Sequence, residues 1–131
     1  MHAEELIINQ AVKTLNVKQA MLDGSVFNDI SFKNVKISDA NMSDLEIEGA
    51  QLGGAYIHNI GMPPKGHPMY NPDAQQRPLR FEDCDLTGST ITDCNLSGVK
   101  IEDCNIKGMK INGILVEDLI KTYATNMNEQ K

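Results

Sequence analysis

The chain has 131 residues, 5% aromatic and without tryptophan, and 18 acidic against 12 basic side chains give it a net charge of −6. A single domain of this length buries an aliphatic core without disulfides or metals. The negative charge disfavours nonspecific binding to nucleic acid or to an anionic membrane. No apolar run is long enough to span a bilayer, "MHAEELIINQ" lacks the basic start of a signal peptide, and three cysteines, an odd number, fit a reducing cytoplasm.

At the N-terminus, Val12, Leu15, Val17, Ala20 and Leu22 keep a five-residue phase, although Thr14 and Gln19 lack the chemistry of a corner. Residues 5–20 therefore read as a degenerate first coil, with a capping helix as the alternative. From Leu22 the phase becomes regular. Large apolar residues stand at Leu22, Phe27, Phe32, Ile37, Met42, Ile47, Leu52, Ile57 and Met62. Two residues after each of the first eight comes Gly24, Asp29, Asn34, Asp39, Asp44, Gly49, Gly54 or Asn59. These types tolerate positive φ or cap a tight turn with their own side chains. A period of five fits neither a helix nor a continuous strand. It fits a three-residue extended rung followed by a two-residue corner.

The rhythm breaks at residues 63–78, "PPKGHPMYNPDAQQRP", which hold all five prolines of the chain. Proline lacks the amide proton that a ladder needs, so this stretch is either a distorted coil or an extruded loop. It carries His67, Tyr70, Asp73 and Arg77, with His58 and Arg80 in the flanking rungs. Irregular segments of this kind often hold function, and these six residues form a candidate binding loop; the alternative is a rigid spacer that shields part of the helix edge. His58 and His67 could bind a metal, or act with Asp73 as acid and base. No sequence spacing fixes their geometry, so no catalytic, cofactor or metal residue is assigned.

Rungs resume at residues 79–118, with Phe81, Leu86, Ile91, Leu96, Ile101, Ile106, Ile111 and Val116 at the centres. The corners are Asp83, Gly88, Asp93, Gly98, Asp103, Gly108, Gly113 and Asp118. At the end, Val116, Leu119, Ile120, Tyr123 and Met127 form a helical stripe with Glu117 and Asp118 in the first turn, predicting a short capping helix over 116–127. The same apolar face would serve a homodimer.

Four rungs turning the same way close a square, so twenty residues make one coil and coils stack at a parallel-strand spacing of roughly 4.8 Å. The predicted fold is all-β: a single parallel β-helix domain of about four to five coils with a dry interior and a C-terminal helix. The units "ANMSD" (40–44), "CDLTG" (84–88), "CNLSG" (94–98) and "CNIKG" (104–108) resemble the pentapeptide repeat family, which implies a right-handed, four-sided helix. Cys84, Cys94 and Cys104 stand in that pattern where the family usually has alanine, and are expected to fill the core as small hydrophobes. Fewer than four inward ligands speak against zinc. A Cys84–Cys104 disulfide is sterically conceivable.

The functional expectation is a non-catalytic binding or scaffold protein, not an enzyme, with another protein as partner and no nucleic acid, membrane or cofactor. Some members of the family resembled mimic duplex DNA and bind type II topoisomerases, which is the alternative. Acidic residues Glu82, Asp83, Glu102 and Asp103 favour it, and lysines at 100, 107 and 110 oppose it. A ligand or catalytic site at the loop is the third reading.

Overall fold

Corner chemistry is the first thing the backbone obeys. A computed structural model describes residues 4–129; Met1–Ala3, part of the opening stretch read above, and residues 130–131 lie outside it. Contacts divide the chain into two units, Met1–Asn59 and Ile60–Lys131. Fifteen of the sixteen expected corner residues have positive φ, from Gly24 to Gly113. Asp118, the sixteenth, lies inside a helix.

The corners are of two alternating kinds. At Gly24, Asn34, Asp44 and Gly54, and again at Gly88, Gly98 and Gly108, the amide that follows donates to the carbonyl of the rung's central residue; examples are Ser25 to Leu22 at 3.1 Å and Ser89 to Leu86 at 3.0 Å. Such a bond with φ > 0 at the third position defines a type II turn, whose ideal φ of about +80° suits glycine. Gly88 has φ +73° and nothing within 4 Å of where a Cβ would sit, so its requirement is conformational. The intervening corners Asp29, Asp39, Asp83, Asp93 and Asp103 have φ of 50–54°. That is the left-handed helical region, which Asp and Asn visit more readily than other side chains. Each kind of corner thus recurs every ten residues.

In the unit Met1–Asn59 no helix or strand forms among the described residues, and residues 4–20 are irregular, with bends at Gln10 and Gln19. The capping-helix alternative for this stretch is therefore not what the structure shows. Gln19, despite its chemistry, adopts φ +51°. Phe27 and Phe32, centres of neighbouring rungs, approach with ring centroids 5.1 Å apart and planes tilted by 58°. An open groove is lined by Asn16–Gln19 together with Lys36, Ser38 and Asp39, which follow Asn16, Lys18 and Gln19 by twenty residues.

In the unit Ile60–Lys131, the rungs run on to Met109 and then change. Strands β1 (Lys110–Ile111) and β2 (Ile114–Leu115) pair antiparallel around Asn112-Gly113, with φ of 49° and 80°. Two consecutive positive φ values make a type I′ hairpin turn, for which Asn-Gly is the favoured pair. The expected rungs centred on Ile111 and Val116 are thereby replaced: Ile111 faces Ile114 in the hairpin, and Val116 opens helix α1 (Val116–Glu129). Its N-terminal turn is tied down by two bonds, Val116 N–H to the Met109 carbonyl at 3.0 Å and Gly108 N–H to Glu117 Oε1 at 2.7 Å. Ile106, Met109, Leu115 and Val116, around this junction, are half-buried.

Elsewhere packing is slight. Among the described residues no side chain is buried, and the sole ladder is the β1–β2 hairpin. Parallel pairing between coils and a dry interior, expected from the sequence, are not among the described contacts. The turns form through bonds spanning four residues, whereas burial needs rungs twenty residues apart to meet. The cysteines follow suit: Cys84, Cys94 and Cys104 are free and exposed rather than core-filling. No helix among the described residues is long and apolar enough to cross a membrane.

Candidate functional site

The proline-rich stretch resolves into consecutive tight turns. His67 N–H donates to the Pro64 carbonyl at 3.0 Å, Tyr70 N–H to the His67 carbonyl at 2.9 Å, and Ala74 N–H to the Asn71 carbonyl at 3.2 Å. Prolines fix φ in the segment, and Gly66, at φ +97°, completes the first turn. Two side chains reinforce the path. His67 Nδ1 accepts from Met69 N–H at 3.0 Å, and Asn71 Oδ1 accepts from Asp73 N–H at 3.0 Å. These bonds hold the segment as a turn-built loop rather than as a rung.

The loop also shifts the phase of the corners. Bends fall at residues 29, 39, 49 and 59 before it, and at 83, 93 and 103 after it. An uninterrupted ten-residue rhythm would put a bonded turn near residue 84, where the chain instead bends. The segment is therefore not a coil replaced in register.

His67, Tyr70, Asp73, Arg77 and Arg80 all belong to the unit Ile60–Lys131 and are exposed. The loop brings His67 and Tyr70 into one turn, and Asp73 into the next. Because Nδ1 of His67 accepts, the neutral ring carries its hydrogen on Nε2, which is left as a donor. His58 lies in the other unit. Its ring stacks on Tyr56 with centroids 4.1 Å apart and planes 24° from parallel, and its Nδ1 lies 2.9 Å from Asn59 Oδ1. The amide oxygen only accepts, so here the hydrogen is on Nδ1 and Nε2 is left as an acceptor. The stack follows from the rung: residues 56 and 58 of an extended segment share a face. Among the described residues no group of three or more His, Cys, Asp and Glu is arranged to hold a metal ion.

A second set of polar residues, not singled out by sequence reading, organises the bonded turns. Asn41, Asp85, Asn95 and Asn105 each precede a central apolar residue and accept the amide two residues on, at 3.0–3.1 Å. Where that residue is Ser43, Thr87 or Ser97, its hydroxyl donates to the same oxygen at 2.6 Å. The two bonds from Thr87, side chain first and then backbone, hold the Asp85 carboxyl below its ordinary value of 3.8. The recurring Asn/Asp-apolar-Ser/Thr triplet was the available signal, since Asx side chains cap turns locally. The cysteines have a comparable local role at the bends. Each thiol donates to the carbonyl two residues back: Cys84 to Glu82 and Cys94 to Thr92 at 3.3 Å, Cys104 to Glu102 at 3.1 Å.

The model of the pentapeptide repeat family matches residues 80–114, in eight copies. No curated protein and no solved structure matches the chain.

Proposed function

From a chain that carries pentapeptide repeats over residues 80–114, we propose a non-catalytic scaffold whose rungs close into a right-handed, four-sided β-helix and whose loop at 63–78 recognises a partner protein. The twenty-residue offset among the residues lining the groove at Asn16–Gln19 supports four rungs per winding. Exposed rung centres such as Phe81, Ile91 and Ile101, at 56–70% exposure, supply the driving force for closure. Burying one such side chain is worth roughly 1.5–3 kcal/mol. In the reducing cytoplasm, where this reading puts the protein, the three thiols remain hydrogen-bond donors.

The observation that carries the functional part is the loop: a segment that departs from the repeat, shifts its phase, and is nevertheless held by three turns and two side-chain bonds. A segment ordered yet useless to the ladder fits recognition better than spacing. The test is a paired capture from bacterial lysate, read by mass spectrometry. One bait is the intact chain and the other has residues 63–78 replaced by a short glycine-serine link, with circular dichroism as the folding control. A partner held by the intact bait alone supports the reading. Equal capture of the same proteins by both baits refutes it, and a topoisomerase among them would favour the acidic-face alternative.

A further inference from the structure

The loop at 63–78 contains one small device twice. His67-Pro68-Met69-Tyr70 and Asn71-Pro72-Asp73-Ala74 are consecutive turns, each led by the residue before a proline. In each, the amide of the last residue donates to the carbonyl of the first, at 2.9 Å in one turn and 3.2 Å in the other. In each, the leading side chain also accepts the amide two residues on: Nδ1 of His67 from Met69 and Oδ1 of Asn71 from Asp73, both at 3.0 Å. Proline has no amide hydrogen, so that donor is the first one the leading side chain meets. Asn is a common leader of such turns, and its oxygen accepts at any pH. Histidine differs. Its ring accepts only while neutral, and imidazole changes charge between about pH 5 and 8. The His67 amide also donates to the Pro64 carbonyl, so this one residue joins the first turn of the loop to the second.

We propose that His67 is a pH-operated latch of this loop. With the ring neutral, Nδ1 holds the Met69 amide and the turn is closed. A proton added at Nδ1 sets one donor against another, and the bond is lost. The sign follows from the bond itself: the latch is closed above the titration of the ring and open below it. The other titratable groups on these turns are Lys65, Tyr70 and Asp73, with the fixed charge of Arg77 further along. Among the described residues no hydrogen bond or ion pair joins Lys65, Tyr70 or Asp73 to the ring. The Asn71 turn has no such dependence, so acid loosens the His67 half of the loop alone. As a control on partner binding, the latch rests on the reading of the loop as the recognition element. A loosened turn must be ordered again before a partner is held, which raises the cost of binding.

The experiment is an NMR titration of the full chain across about pH 5–8, the range of imidazole. Ring nitrogen shifts should place the hydrogen of neutral His67 on Nε2. Exchange of the Met69 amide, corrected for its intrinsic pH dependence, should rise about two- to tenfold as the ring protonates, the loss of one neutral hydrogen bond. The Asp73 amide, held by Asn71, should show no such step. H67N puts a non-titrating oxygen in the place of Nδ1, so it should protect Met69 throughout and remove the step. H67A should leave the amide released at every pH. Circular dichroism checks that the variants fold; if H67A does not, H67N and the unaltered chain decide. A neutral ring with its hydrogen on Nδ1, Met69 exchange indifferent to the His67 titration, or a step that survives in H67N would overturn the proposal. If the step appears but partner capture does not need the loop, the latch stands and the recognition reading falls. If capture needs the loop and the step is absent, the latch alone falls.

Discussion

Asp85 shows how much one repeat position does without being buried. Its carboxylate accepts the Thr87 amide at 3.0 Å and the Thr87 hydroxyl at 2.6 Å, and both bonds favour the charged form. With its value in the folded chain lowered, Asp85 adds to the stability of the turn above the ordinary value of 3.8, and that contribution is lost as pH falls through the lowered value. Carboxyl NMR shifts should therefore place its titration below the ordinary value of 3.8. T87A should move it back up. Asn95 makes the same bonds at its turn, so D85N should keep the turn and abolish its pH dependence. Gly88 gives a second prediction. At φ +73° an L side chain is strained by about 1–2 kcal/mol, so G88V should lower the melting temperature, whereas G88N should cost less because Asn34 already occupies an equivalent turn. Thermal unfolding of the two variants side by side checks this.

At the level of elements, the C-terminal junction is where packing begins. The hairpin β1–β2 turns the chain back, and Glu117 reaches Gly108 N–H across nine residues. E117A should raise the exchange rate of the Gly108 amide, with E117Q retaining part of the protection through its neutral oxygen. The helix was legible in advance from its 3.6-residue stripe, and it extends two residues beyond the expected end, to Glu129. The hairpin was not read, although Asn112-Gly113 between apolar pairs is a strong short-range turn signal. Gly113 also fits the five-residue series, and the longer pattern concealed the local one. The corners were legible because a left-handed φ leaves a mark on residue type. Their sorting into bonded turns and bends was not, since Asn34 and Gly49 each stand in the class that the other's type prefers.

For the molecule as a whole, local order and apolar exposure coexist. Corners, Asx caps and thiol bonds span at most a few residues, while Leu86, Leu96 and other rung centres remain more than half exposed. The loop's boundaries were legible from its prolines, but its three turns depend on where His67 and Asn71 direct their side chains, which composition does not encode. The repeat register puts the cysteines on the small side of each rung, which points to core filling; their thiol-to-carbonyl bonds arise from the bend itself. In the proposed fold, four rungs make one winding on which the loop is carried. This winding is tested most directly by nuclear Overhauser contacts in isotopically labelled protein. Rungs stacked at roughly 4.8 Å should give cross-peaks between residues twenty apart, as from Phe81 to Ile101 and from Leu86 to Ile106. Turn cross-peaks at Gly88 and Gly98 without any contact at a separation of twenty would contradict it.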